Sequence, residues 1–206
     1  MDLCDPKEQI PWITYPALEW LDCHIHADMT VFEWGTGGST LFYARHTKHV
    51  VSVEHNPEWY DAVLLALNHD KITNCEYLLV PPKPCMLAPF LPYSSRTYVS
   101  RTFAEHARLQ FRNYVRKISE YPDRFFDLVV VDGRARAACL RHAVPKVRSG
   151  GYVMLDNSER PSYRPAMDIL GRFPRLDFPG HGPRLEEEWM TTVWQISRDP
   201  ASTSRT

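Results

Sequence analysis

The sequence predicts an α/β chain built on a doubly wound, mostly parallel sheet of seven strands that closes on an antiparallel hairpin, with helices on both faces. Three observations lead there. Short apolar runs rich in β-branched and aromatic residues alternate with segments of helical period, the rhythm of strand–helix–strand units. Two of the runs, FDLVVVDG (126–133) and GGYVMLDN (150–157), are apolar almost throughout, as strands buried on both faces of a parallel sheet must be. The last two, RLDFPG (175–180) and MTTVWQISR (190–198), alternate instead and are separated by a polar segment, the mark of an antiparallel pair at the sheet's edge.

Each element has its own warrant. Residues 7–28 read as a helical approach, because Leu18, Trp20 and Leu21 recur at helix-like spacing. TVFEW (30–34) is a strand that stops at Gly35, and GGSTLFYARH (37–46) is the helix after it. HVVSVEH (49–55) is the next strand, and Pro57 opens the helix PEWYDAVLLALN, since proline is tolerated in a first turn. CEYLLV (75–80) is a third strand, stopped by Pro81, Pro82 and Pro84. Residues 81–101 then form a long proline-rich loop carrying Tyr93, Arg96 and Tyr98, read as a lid or substrate loop. A helix is expected over Thr102–Glu120, another over 135–147 that Pro145 should end early, and a third over Tyr163–Phe173. Residues 1–198 are read as one domain, with 199–206 as a flexible tail.

Composition narrows the function. The chain has 206 residues, 24 Lys and Arg against 25 Asp and Glu, and a formal charge of −1, which gives no electrostatic case for nucleic acid or an anionic membrane. No apolar run approaches the ~18 residues needed to cross a bilayer. The first twelve residues are acidic and interrupted by Pro6 and Pro11, unlike a signal peptide. Five cysteines without CxxC spacing suit reduced thiols, so a cytoplasmic location is expected. Cys23, His24 and His26 lie close together, but no further donors stand at metal-ligand spacing. Only nine glycines accompany 17 prolines, so the places where glycine falls carry information.

Three of those glycines fall at one turn. VFEWGTGGST is strand, glycine turn, helix: Gly35 permits the tight bend, while Gly37 and Gly38 let backbone approach a ligand. The helix amides that follow favour a carboxylate or phosphate. Glu54 ends the next strand, where a carboxylate can accept both hydroxyls of a ribose. A dinucleotide fingerprint wants Gly or Ala where Thr40 stands, and Glu33 just before the turn would repel a pyrophosphate yet suit a cationic amino-acid group. VFEWGTGGST, VVSVEHNPEWY, FDLVVVDG and GGYVMLDN together resemble motifs one, two, four and five of the class I, Rossmann-like, S-adenosylmethionine-dependent methyltransferases, over about residues 30–157. The resemblance implies S-adenosyl-L-methionine as cofactor, with Glu33, Gly35 and Gly37 at its methionine end, Glu54 on the ribose, His55 beside the adenine, and Thr36, Ser39 and Asp132 among the further cofactor-binding residues. The place after the third strand, where such enzymes often carry an acid or amide near the adenine, reads Val80-Pro81-Pro82.

Asp132, Asp156 and Asn157 end neighbouring strands, and two carboxylates with an amide oxygen suit Mg²⁺ or another hard divalent cation. That trio is similar to the metal site of the catechol and caffeoyl-CoA type O-methyltransferases. Those enzymes also carry a lysine three residues after the first Asp, where this chain has Ala135 between Arg134 and Arg136. Without a metal, Asp132 is the candidate general base, and Arg134 and Arg136 complete the candidate catalytic set. Arg160, Arg164, Tyr93, Arg96 and Tyr98 suggest a pocket for an anionic molecule, and the loop around His181 could reach its mouth. The reading is methyl transfer to an oxygen of a small molecule, without nucleic acid or membrane as partner and with a homodimer left open. Its alternatives are a nicotinamide-dependent oxidoreductase and a non-catalytic S-adenosylmethionine-binding module.

Overall fold

The computed structural model describes residues 3, 8–100, 104–183 and 186–197; the tail 199–206 lies outside them. Seven strands form one sheet: β1 (Thr30–Trp34), β2 (His49–Glu54), β3 (Cys75–Leu79), β4 (Phe126–Val131), β5 (Val147–Leu155), β6 (Arg175–Gly180) and β7 (Trp189–Gln195). Their spatial order is β3-β2-β1-β4-β5-β7-β6. β1 to β5 pair in parallel, and β7 runs antiparallel to both β5 and β6. The doubly wound sheet and its closing hairpin are as the sequence predicts, and the pairing adds that the hairpin folds back so that β7 lies between β5 and β6.

Alternation along each strand sorts the core into two layers. Phe32 and Trp34 of β1, Val51 and Val53 of β2, and Val129 and Val131 of β4 face one side, where they pack with residues of α4 (Arg112–Arg116), α5 (Arg136–Ala143) and α6 (Arg164–Met167). Val31, Val50, Leu128 and Val130 face the other, against α1 (Tyr15–His24) and α2 (Gly38–His46). Leu41, Val63, Ala66 and Leu67 extend that second layer to α3 (Pro57–His69), whose start is fixed by Pro57 and by the Asn56 side chain accepting from the Trp59 amide at 2.9 Å. Among the described residues no helix is long and apolar enough to cross a membrane.

Several expected helices are shorter than their patterns. α1 covers only Tyr15–His24; Pro16 fits its first turn, but Pro11 cannot sit inside a helix, so the residues before Tyr15 run as a strap. The strap lies on α2: a Cβ on Gly38 would fall on the carbonyl of Glu8 and 2.7 Å from that of Ile10. It then crosses to the hairpin, where the Thr14 hydroxyl donates to the Phe178 carbonyl at 2.9 Å and the Tyr15 amide to the His181 carbonyl at 2.7 Å. The helix expected over Thr102–Glu120 reduces to a 3-10 turn over Ala104–His106, α4 and a 3-10 turn over Lys117–Glu120, with 101–103 outside the described residues. Leu109 and Gln110 instead pair with Pro84 and Lys83, tying down the proline-rich loop. Tyr93 and Tyr98 of that loop pack toward α5: the Tyr93 hydroxyl accepts from the Ala137 amide at 3.5 Å, and the Tyr98 ring lies 6.0 Å from that of His142.

The turns after β1 and β4 touch. A Cβ on Gly35, which has φ +89, would lie 2.7 Å from the Gly133 nitrogen, and one on Gly133 would fall on the Tyr114 hydroxyl and 2.8 Å from the Gly35 nitrogen. Gly133→Ala should therefore lose about 2–4 kcal/mol of stability. Gly171→Ala, whose Cβ meets nothing closer than 3.3 Å, should stay within about 1 kcal/mol of wild type. Denaturant unfolding of the two variants measures both, and equal losses would sink the close-approach argument.

Candidate active site

A cavity of about 410 Å³ opens at the carboxyl ends of the strands, where the order reverses between β1 and β4. Gly35, Thr36, Glu54, His55 and Asp132 line it, five of the positions the sequence singles out for a cofactor. Arg134 lines it as well, and Gly133 forms its floor with Gly35. Trp12, Asn56, Trp59 and His106 complete the lining, and none of these four was marked as a site residue by the sequence. Asn56 and Trp59 follow Glu54 in the NPEW segment and were legible only as a helix start. Trp12 and His106 come from the strap and from a distant 3-10 turn, and carry no local signal.

Glu54 is 2% exposed and well supplied with donors. Its Oε1 accepts from the backbone amides of His55 and Asn56 at 2.7 and 2.8 Å, and its Oε2 from the Thr36 hydroxyl at 2.7 Å. The His55 ring lies 2.7 Å from Oε1. Burial pushes its pKa up, but the His55 ring, the Asn56 amide and the Thr36 hydroxyl more than offset this, so Glu54 stays below the ordinary carboxylate value. Thr36 is in turn fixed by Tyr77, whose hydroxyl lies 3.0 Å from its own, and by the Trp59 indole, which donates to its carbonyl at 2.7 Å. His55 packs 5.6 Å from His106 and 5.7 Å from Phe111, closing the far wall.

Glu33, Gly37 and Ser39 stand behind the turn rather than in the cavity lining. The Glu33 carboxylate is fully buried on the α2 side of the sheet, where Thr40, Ser52 and Ser39 hydroxyls donate to it at 2.5, 2.7 and 2.9 Å. Gly37 faces inward, since its Cβ would meet the Trp59 ring at 3.4 Å. Asp132 is partly open to the cavity, with 32% of its side chain exposed and its Oδ1 2.8 Å from Arg136. Burial pushes the Asp132 pKa up to about 7; Arg136 opposes this, and the Asp156 and Glu33 carboxylates add to it.

The candidate metal trio does not suit a divalent cation. Asp156 is 3% exposed, and its Oδ1 accepts from the Trp189 indole and the Thr191 hydroxyl, both at 2.8 Å. Its Oδ2 lies 3.7 Å from Arg136, whose guanidinium already stands between the two aspartates. Asn157 takes a left-handed turn with φ 52 and does not line the cavity. Among the described residues no cluster of three or more His, Cys, Asp or Glu could hold a metal. Arg136 itself is 6% exposed and spends its donors on the strand ends, so it offers no free charge to a substrate.

The wider basic and aromatic set is dispersed. Arg164 lines a separate cavity of about 570 Å³ with Met167, Phe173 and Trp194, and Arg160 lies 3.8 Å from Glu159. Tyr93, Arg96, Tyr98 and His181 are absent from the lining of the first cavity, and His181 faces Glu188 at 3.4 Å. Cys23, Cys75, Cys85 and Cys139 are free thiols.

No protein-family model and no curated protein matches the chain. Solved structures do. A methyltransferase-like protein from Silicibacter pomeroyi superposes with a TM-score of 0.58 at 20% identity, covering 94% of this chain and 93% of the other. The O-methyltransferase TomG from Streptomyces achromogenes, solved with S-adenosylmethionine, gives a TM-score of 0.60 at 15% identity over 82% and 74%. An rRNA methylase from Streptococcus thermophilus gives 0.57 at 10% identity over 91% and 100%. At these identities the likeness is one of fold: the chain shares the Rossmann-like, mostly parallel seven-stranded sheet of these solved structures.

Burial raises the Glu33 pKa from its ordinary 4.5 to about 7, against the pull of the Thr40, Ser52 and Ser39 hydroxyls. Between pH 4.5 and 7 the folded chain keeps this proton while the unfolded chain has lost it, so this group's contribution to stability falls as pH rises through that window. Measured against Glu33→Gln, wild type should lose on the order of 3 kcal/mol of relative stability between pH 5 and pH 8. Denaturant unfolding at the two pH values decides it, and a pH-independent difference would exclude the raised pKa.

Proposed function

We propose that the chain is an S-adenosylmethionine-dependent methyltransferase acting on an oxygen of a small molecule. The observation that carries this is the pairing, in one cavity, of the Gly35–Thr36 turn with the Glu54 carboxylate at the end of the neighbouring strand. The cavity fits the cofactor's needs: a floor of two glycines on which no Cβ could stand, and a buried acid kept ionised by the His55 ring and by backbone amides beside it. Gly35 and Thr36 would hold the amino-acid end, Glu54 would accept the ribose hydroxyls, and His55 with His106 would bound the adenine. When bound, the cofactor supplies an electrophilic methyl group.

The chain's own residues do the rest. Asp132, with its pKa pushed up to about 7, is suited to take the acceptor's proton at its carboxylate near neutral pH. Arg134 lines the same cavity and can neutralise an anionic acceptor there. Trp12 and Trp59, with ring centroids 6.3 Å apart, help exclude water from the glycine turn. The volume of about 410 Å³ and the net charge of −1 favour a small acceptor over a polyanion.

Calorimetric titration with S-adenosylmethionine, S-adenosylhomocysteine and NADH tests the central reading, which fails if neither of the first two binds. Glu54→Ala should weaken S-adenosylmethionine about 100-fold, since two ribose hydroxyls lose a charged acceptor. Asp132→Asn should lower turnover about 10²–10⁴-fold while altering cofactor affinity far less. Binding with no turnover on any acceptor would favour the non-catalytic module instead.

A further inference from the structure

We infer that Arg136 is the resident cation of the crevice: its guanidinium occupies the seat between Asp132 and Asp156 that a divalent metal would need, and so replaces one. β4 and β5 pair in register, Val131 beside Leu155, so Asp132 and Asp156 leave the sheet side by side, one strand spacing apart. Two acids so placed are relieved by a proton or by a positive charge between them, and in an oxygen-rich crevice a resident charge is either a hard metal ion or a guanidinium.

The chain fills the place with the guanidinium and builds a seat for it. Nε donates to the Gly133 carbonyl at 3.0 Å, one terminal nitrogen to the Asp132 carbonyl at 2.7 Å, and the other to the Asp156 carbonyl at 2.5 Å. The nitrogen on the Asp132 carbonyl also lies 2.8 Å from the Asp132 carboxylate. A planar fork suits three carbonyls and a carboxylate spread around it, where a metal would require its ligands close in and octahedral. The backbone is shaped for this arrangement. Ala135 takes a left-handed conformation, φ 51, at the head of α5, turning the chain so that Arg136 begins the helix beneath the strand ends. Ala135 is only 3% exposed, which leaves no room there for a long basic side chain. The remaining Asp156 oxygen is already engaged by Trp189 and Thr191, so neither acid has a full carboxylate to offer an ion.

Arg136 is thus a positioning residue, holding Asp132 at the cavity's edge without touching a ligand itself. The inference concerns cation occupancy alone, and holds whether or not the chain transfers methyl groups. Titration of Mn²⁺ against the full-length protein, read by the electron paramagnetic resonance of the free ion, tests it without cofactor or acceptor. Wild type should sequester no Mn²⁺ at millimolar concentration. Stoichiometric binding by wild type that Asp156→Asn removes would overturn the inference. Arg136→Ala empties the seat and should bind Mn²⁺ at least about tenfold more tightly than wild type, with the gain lost in the Arg136→Ala, Asp156→Asn double variant. A folded Arg136→Ala protein that binds none would also overturn it. Should that variant fail to fold, the wild-type and Asp156→Asn titrations decide.

Discussion

Two neighbouring parallel strands both end in an acid, and one guanidinium makes that tolerable. Left alone, Asp132 and Asp156 would repel each other in a setting where water can do little to screen them. Arg136 stands between them, and Trp189 and Thr191 supply further donors to Asp156. Breaking such a buried arrangement by removing one partner typically costs about 3–5 kcal/mol, because the charge left behind has nowhere to go. The same three-carbonyl clasp ties the ends of β4 and β5 together, so the edge of the cavity is set by the electrostatics of its acids.

The geometry of the cavity follows from that fixed edge. With Gly133 held by Arg136, the turn after β1 can press against it, and only glycine fits on either side of the contact. Glu33 anchors the β1 turn from below through Thr40, Ser52 and Ser39, while Trp59 and Tyr77 fix Thr36 from above. Glu54 is then presented at the end of β2, which pairs in parallel with β1 and β3. Its ionised state is held by the His55 ring beside it, with the Asn56 amide and the Thr36 hydroxyl, which together offset its burial. Three acids at neighbouring strand ends are thereby given different surroundings: Glu33 is buried behind the turn, Glu54 faces the cavity charged, and Asp132 has its pKa raised by burial against the pull of Arg136.

Much of this was legible in the sequence. The strand-ending acids, the glycine turn and the strand–helix order are local patterns, and local patterns follow from backbone sterics and burial. Five of the eight proposed cofactor residues line the cavity because strand ends and the turns after them must converge at the switch point. The misreadings have physical causes too. The metal trio shares a donor chemistry with an arginine seat, and only packing says which cation is present. The expected helix over 102–120 and the long approach helix fail because the tertiary fold recruits Leu109–Gln110 into a ribbon and lays residues 8–14 down as a strap. A loop's tyrosines suggest a ligand in sequence, yet Tyr93 and Tyr98 find partners on the α5 side of the sheet.

The sequence alone therefore determined the α/β class, the seven strands, the turn and the acid after β2, since each depends on residues close together in the chain. Tertiary structure decided what no local pattern encodes: that Trp12 and His106 reach the cavity from distant segments, that Glu33 braces the turn from behind, and that Arg136 points back between two carboxylates. The reason is the direction of side chains. A residue's type fixes what it can bind, but which way it faces, and what already stands there, is set by neighbours far away in the chain.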